Sequence, residues 1–333
     1  MTSTDVVTAA RPAGEVLAWS RAVVEAPLTA AIATLPDQTR AVVGHHLAGQ
    51  DPLVAALALL AAESVGSADA AVEVAVALQL AHLHDQVHAD LMTRAARRGS
   101  RPSAWVEFGD RRAVSAADAL LTLAFTHLTG PGVMALNAAL LSVVDGYVRE
   151  VEMAGRPGAV EVTEHLRVAA AQHASLAACA CELGALAAGA TRDQAGRLRA
   201  FGDHLGLARK HVDDVLALWG GPAVSGRPLH DDLAHDRRTL PVVAALAAGA
   251  ELTGSPAEQA RAVEQAGGRR WCEQQAGVLL DSALGHLRAA GVRQRAVDEL
   301  AGLAVAVTTG RFSPVRVPAA VVPAQATADQ VPS

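Results

Sequence analysis

Long stretches of the chain are apolar on most sides and are broken at intervals by glycine and proline, as in a bundle of buried helices. The pattern predicts a first helix over about 15–35, ended by Pro36-Asp37, and a short second one before the break at Gly49-Gln50-Asp51. Pro52 then opens an apolar helix reaching about residue 65. The next, over about 69–96, is apolar on most sides until His82, where it turns polar in HLHDQVHAD, residues 82–90. RRGSRPS separates it from a helix starting near Asp110. Further helices are expected at about 131–154, 161–189 and 193–219, with breaks at Gly130-Pro131, Gly155-Arg156-Pro157 and Gly189 to Arg192. Three more fit the stretch from Pro241 to Gly310. The first 14 residues and the proline-bearing tail over 313–333 carry little periodicity and are expected to be disordered. With no internal repeat and no linker, the reading is a single all-α domain over 15–312.

Composition sharpens this picture. The 333 residues are 51% hydrophobic, 19% charged and 3% aromatic. Such a chain buries a sizeable core, and alanine, the best helix former, dominates it. The net charge of -6 and pI near 6.1 argue against nucleic-acid binding, which needs a basic face. The N-terminal residues carry Asp5 and no apolar segment of secretory type, and the longest apolar run, Pro52 to Ala62, is about half a membrane span. A cytoplasmic protein without an integral membrane segment is expected. Cys179, Cys181 and Cys272 form no metal or redox spacing and read as buried free thiols.

Two places break the alanine-leucine-valine stripes. One is Asp85 with Gln86, His88 and Asp90; the other is Asp213-Asp214 at the end of HLGLARKHVDDVLAL. Carboxylates in apolar helices are costly unless something cationic neutralises them, and carboxylates with water suit Mg²⁺, which bridges to substrate phosphates. Arginines follow each site: Arg97-Arg98 after the first, Arg227 and Arg237-Arg238 after the second. Arginine binds phosphate in bidentate fashion. The pattern points to a pocket for a diphosphate carrying a hydrocarbon tail, set against the plainer reading of solvated faces with ordinary ion pairs. Lys210, the chain's single lysine, lies one turn before Asp214, where an i,i+4 ion pair competes with direct diphosphate contact. His204 and His211 share a helical face but have no third ligand at zinc spacing.

DDVLALWGGPAVSGRPLHDDLAHDRRTLP, Asp213 to Pro241, resembles the second aspartate-rich region of trans-isoprenyl diphosphate synthases, in which Asp-Asp precedes GKPxGxDL and a lysine before Thr-Leu-Pro. FGDHLGLARKHVDD is similar to that family's FGxxLGxAFQxxDD, and ARRGSRPSAWVEFGDRRAVSAADALLTLAF to its RRGxPxxHxxFGxxxAxxxGDxLLxxAF. The resemblance implies a helical bundle with two acidic helices facing across a deep pocket. Mg²⁺ bridges the carboxylates to an allylic diphosphate there. It carries over Asp85, Asp90, Asp213 and Asp214 as metal ligands, the first, third and fourth as the catalytic set. Arg97, Arg98, Lys210, Arg227 and Arg238 follow as diphosphate contacts, with Gln86 and Asp232 supporting them. A homodimer, or a heteromer with an active prenyltransferase, is also implied.

The departures from the family pattern bear on activity. The first motif reads Asp85, Gln86, Val87, His88, Ala89, Asp90 in place of DDxxD. Asp90 lies roughly 140° round an ideal helix from Asp85 and reaches the same site only if the helix is distorted. Where the family has GGKRxRP to hold isopentenyl diphosphate, this chain has Gln50 and Asp51. Leu78 stands at the acceptor-site histidine, Gln172-His173 at a Lys-Thr pair that grips the allylic diphosphate, and Arg209-Lys210 at the Phe-Gln of AFQ. His45, His46 and Arg40 are substitutes that could hold an acceptor diphosphate. Three functions stay open: Mg²⁺-dependent chain elongation with isopentenyl diphosphate, a terpene-synthase-like diphosphate lyase or cyclase, and a silent subunit modulating an active partner.

Overall fold

The computed structural model describes residues 9–47, 51–98, 101–154, 161–221 and 228–309. The described chain is helical throughout except for one two-residue antiparallel hairpin, β1 (Arg97–Arg98) with β2 (Arg101–Pro102). In order the helices are α1 (Ala13–Ala33), α2 (Asp37–Leu47), α3 (Leu53–Val65), α4 (Val72–Met92), α5 (Ala104–Phe108), α6 (Asp110–Thr126) and α7 (Pro131–Ala154). Then come α8 (Val162–His173), α9 (Ser175–Ala187), α10 (Arg192–Trp219), α11 (Asp231–Ala234), α12 (Leu240–Ala247), α13 (Pro256–Gln265), α14 (Gly268–Ala289) and α15 (Gln294–Thr308).

The centre is built from the least polar segments. Every residue from Leu53 to Ala62 of α3 is buried, and so is most of α9. A helix apolar on all sides has no face to offer water and must be surrounded. Accordingly α3 packs on α9, α4 and α15, while α10 lies along both α9 and α14. Small residues allow the close approach: a Cβ on Gly202 of α10 would sit 2.5 Å from the Ala177 carbonyl oxygen of α9. Gly206, one turn on, meets Ala174 at 2.6 Å.

The differences from the sequence expectation have local causes. The predicted helix over 161–189 breaks at Ala174, where α10 presses against the backbone of His173 and Ala174. The C-terminal region holds four helices in place of three, because Ser255 and Glu258 form a capping box that starts α13 at Pro256. The N-terminal segment is anchored before residue 15. Arg11 donates from its backbone and guanidinium to the buried Glu299, and stacks 4.0 Å over Trp19. Residues 1–8 and the tail from 310 lie outside the described residues. The three cysteines are free and buried.

By length and composition alone, α1 and residues 131–153 of α7 are apolar enough to cross a membrane. Both turn one face into the bundle. The outer face of α7 carries exposed Met134, Leu141, Val144, Val148 and Val151.

Candidate active site

Most of the singled-out residues lie on α4 and α10 or on the segments that follow them. On α4, Asp85 sits deep among neighbours, and burial pushes its carboxyl up to about 6 despite a hydroxyl donor and the more distant Arg98. The donor is Tyr147 of α7, whose OH lies 3.0 Å from Asp85 Oδ1. Tyr147 is the only tyrosine in the chain. Its ring also faces His88 at 6.0 Å, which in turn neighbours His84 at 5.6 Å. No spacing along the chain joins residue 147 to residue 85; the packing of α7 brings them together.

Asp90 does not share the site with Asp85. The α4 helix runs unbroken from Val72 to Met92, without the distortion that would swing Asp90 round. Its carboxylate is 2% exposed, and both oxygens accept from Arg98, Nη2 at 2.8 Å and Nε at 3.0 Å. Arg98 also donates to the Gln86 carbonyl at 2.9 Å. The β1–β2 hairpin therefore folds Arg98 back onto α4, where it is consumed in a bidentate clamp. Gln86 directs its amide at His82, with 2.8 Å between Nε2 atoms. Arg97, on the same hairpin, is exposed.

On α10 the two aspartates have different surroundings. Asp214 is buried, accepting from Lys210 Nζ at 2.8 Å and from the Leu240 backbone N–H at 3.0 Å. The i,i+4 pair that the sequence allowed for Lys210 is thus formed. Asp214 fixes the start of α12 through its second oxygen. Asp213 keeps 56% of its side-chain surface open. Even so, the surrounding protein raises its pKa by desolvation, against the pull of Arg209 and Lys210. Arg209 bridges two carboxylates, with Nη2 2.6 Å from Asp51 Oδ2 and Nε 3.5 Å from Asp213 Oδ2. The Asp51 charge, ahead of burial, holds the Arg209 guanidinium firmly protonated.

Asp232 is buried and accepts from Arg237 Nη1 at 2.8 Å, and Arg237 reaches the Thr93 carbonyl at 3.2 Å. This contact ties the segment after α10 to the end of α4. Arg238 is exposed, and Arg227 lies outside the described residues. The acceptor-side substitutes are engaged elsewhere. Arg40 donates to the Ala33 and Leu35 carbonyls at the end of α1, and pairs with Asp37. His45 contacts the Pro102 carbonyl at 2.9 Å and sets its ring edge-on to Phe108. Burial, with Arg98 nearby, pushes His46 down to about 3 and keeps it neutral. Gln172 donates to Glu150 at 2.8 Å. His173 faces Lys210 and Arg209 and, by burial first, titrates far below the usual histidine range.

No group of three or more His, Cys, Asp or Glu side chains among the described residues forms a ready-made metal cage. The donor chemistry nonetheless fits a cation brought in with a diphosphate. Mg²⁺ in such settings takes one or two carboxylates plus phosphate oxygens and waters. Asp85, whose Oδ1 takes the Tyr147 hydroxyl, and Asp213, whose side chain stays more than half open, are the candidates, one from each helix. His211 is buried edge-on to Trp271, and His204 bonds the Ala200 carbonyl, so neither joins this site.

The profile of the polyprenyl synthetase family matches residues 50–270. A (2E,6E)-farnesyl diphosphate synthase of Mycobacterium tuberculosis is 32% identical over 308 residues, covering 81% of this chain and 86% of that protein. A geranylgeranyl diphosphate synthase of the same organism is 36% identical over 250 residues, 68% of this chain and 71% of that protein. Among solved structures, a polyprenyl synthetase from Streptomyces coelicolor A3(2) superposes with a TM-score of 0.82 at 31% identity, covering 89% of this chain and 99% of that one.

Proposed function

The chain belongs to the polyprenyl synthetase family, and from that premise we propose that it binds one allylic prenyl diphosphate between α4 and α10 and ionises it with Mg²⁺. The observation that carries this is the pair of carboxylates in the acidic stretches of α4 and α10, Asp85 half-buried under the Tyr147 hydroxyl and Asp213 more than half open. Mg²⁺ held there with the diphosphate supplies charge stabilisation for the leaving pyrophosphate. Tyr147 orients Asp85 by holding its Oδ1. Lys210 and the Leu240 N–H hold Asp214 as the base on which Asp213 is presented. The clamp of Arg98 on Asp90 fixes the end of α4. In the reaction the allylic C–O bond breaks, its electron pair leaves with pyrophosphate, and the cation is taken up by a double bond or by water with loss of a proton.

Two fates of that cation fit the family. Transfer to isopentenyl diphosphate is favoured by the likeness to farnesyl and geranylgeranyl diphosphate synthases. Release as a hydrocarbon or alcohol, a terpene-synthase-like outcome, is favoured by the Asp51–Arg209 ion pair where the family carries free cations. Incubating the protein with Mg²⁺ and geranyl, farnesyl or geranylgeranyl diphosphate, with and without isopentenyl diphosphate, separates them. A longer diphosphate formed only with isopentenyl diphosphate establishes transfer. A hydrocarbon or alcohol formed without it establishes release. Neither product, with no pyrophosphate freed, contradicts the proposal and leaves the role of a silent subunit.

The apolar stripe on α7 supports a second copy of the chain as its cover, in keeping with a homodimer.

A further inference from the structure

Two departures that look like separate losses in the sequence meet in space. Asp51 stands where the family has a cation and Arg209 where it has phenylalanine, 158 positions apart. Their side chains form a salt bridge of 2.6 Å between the start of α3 and α10. The pair is held at both ends. Asp51 Oδ1 accepts from the Leu53 N–H at the start of α3, 3.0 Å away, and its Oδ2 from Arg209. The Arg209 Nε side faces Asp213 at 3.5 Å. Both partners stay partly accessible, Asp51 at 29% and Arg209 at 32%.

We infer that the Asp51–Arg209 bridge bars the second diphosphate site, so that this protein takes one diphosphate and not two. The inference rests on the proposed function for its first diphosphate. An anion entering beside Arg209 must displace Asp51 or lie against its negative charge, and either course forfeits the charge-assisted bonds that hold a diphosphate. Two further cations do not compensate. Lys210 is bound to Asp214 and Arg98 to Asp90. His82 and His173, which face the bridge, are held neutral by their burial. The acid and the base instead occupy complementary positions and neutralise each other.

The test titrates the full-length protein by calorimetry in Mg²⁺ with two probes: a non-ionisable prenyl thiolodiphosphate, then isopentenyl diphosphate. The wild type is expected to saturate with the first and to show no binding of the second. The double variant Asp51→Arg with Arg209→Phe should bring isopentenyl diphosphate binding into the measured range, at least about a hundredfold tighter than the detection limit set by wild type. If that variant melts below wild type, Asp51→Asn with Arg209→Gln opens the bar while keeping side-chain volume, and should gain about tenfold. Wild type that binds both probes overturns the inference alone, as does a folded variant pair with no gain. Loss of isopentenyl diphosphate turnover in Arg209→Gln alone also overturns it, by making Arg209 the acceptor cation. Wild type that binds neither probe overturns the proposed function, and this inference with it.

Discussion

At the scale of single residues, the account turns on Asp85. Burial raises its folded pKa to about 6, above its ordinary value of 3.8. The shift makes the fold more stable when the carboxyl is protonated, an advantage complete below about pH 4 and lost as pH rises through 6. In metal-free protein, Asp85→Asn should therefore raise stability at pH 7.5 by about 2 kcal/mol and change little at pH 4. Chemical denaturation at the two pH values checks this; equal effects at both would contradict the burial argument. The same variant is expected to lose Mg²⁺-dependent release of pyrophosphate. Tyr147→Phe removes the hydroxyl that holds Asp85 Oδ1, a bond to a charged group worth about 1.5–3 kcal/mol. Turnover should fall by about tenfold, with the acidic limb of its pH profile displaced upward. Asp85 and Asp213 were legible from the sequence because carboxylates stand out in apolar helices. Tyr147 was not, since its role depends on how α7 lies across α4.

At the scale of elements, the sequence could state the condition on Asp90 but not resolve it. A five-residue spacing shares a face only if the helix is bulged, and α4 is regular. Asp90 and Arg98 instead form one structural unit, the hairpin clamped to its helix. Arg98→Ala should cost about 3 kcal/mol of stability, because it strands a buried carboxylate that is 2% exposed. Denaturation of Arg98→Ala beside Asp90→Asn with Arg98→Gln measures this, the double change being the milder. Full stability in Arg98→Ala would place the clamp outside the fold's support. The helix boundaries missed from sequence have a similar origin. The break at Ala174 comes from a neighbouring helix packed on Gly206, a tertiary contact that no local pattern within 161–189 encodes. The capping box at Ser255 and Glu258, by contrast, was written in the sequence and passed over.

At the scale of the whole molecule, the all-α architecture was legible because segments as apolar as Leu53–Val65 have no alternative to burial on every side. Invisible in one dimension was the joining of the two halves, Arg237 to Thr93 and Arg209 to Asp51. The outer stripe of α7 makes its own prediction. Val148→Asp should convert a dimer into monomers by light scattering with helicity unchanged; monomers in both proteins would contradict the second-copy cover.

The most direct test of the central claim is pyrophosphate release from geranyl, farnesyl and geranylgeranyl diphosphate, followed in Mg²⁺ and in chelator for wild type and Asp213→Asn. Wild type is expected to release pyrophosphate from at least one of them in Mg²⁺ alone, and Asp213→Asn to lose that release while keeping its fold. Release that survives chelation, or that Asp213→Asn leaves intact, would contradict that claim.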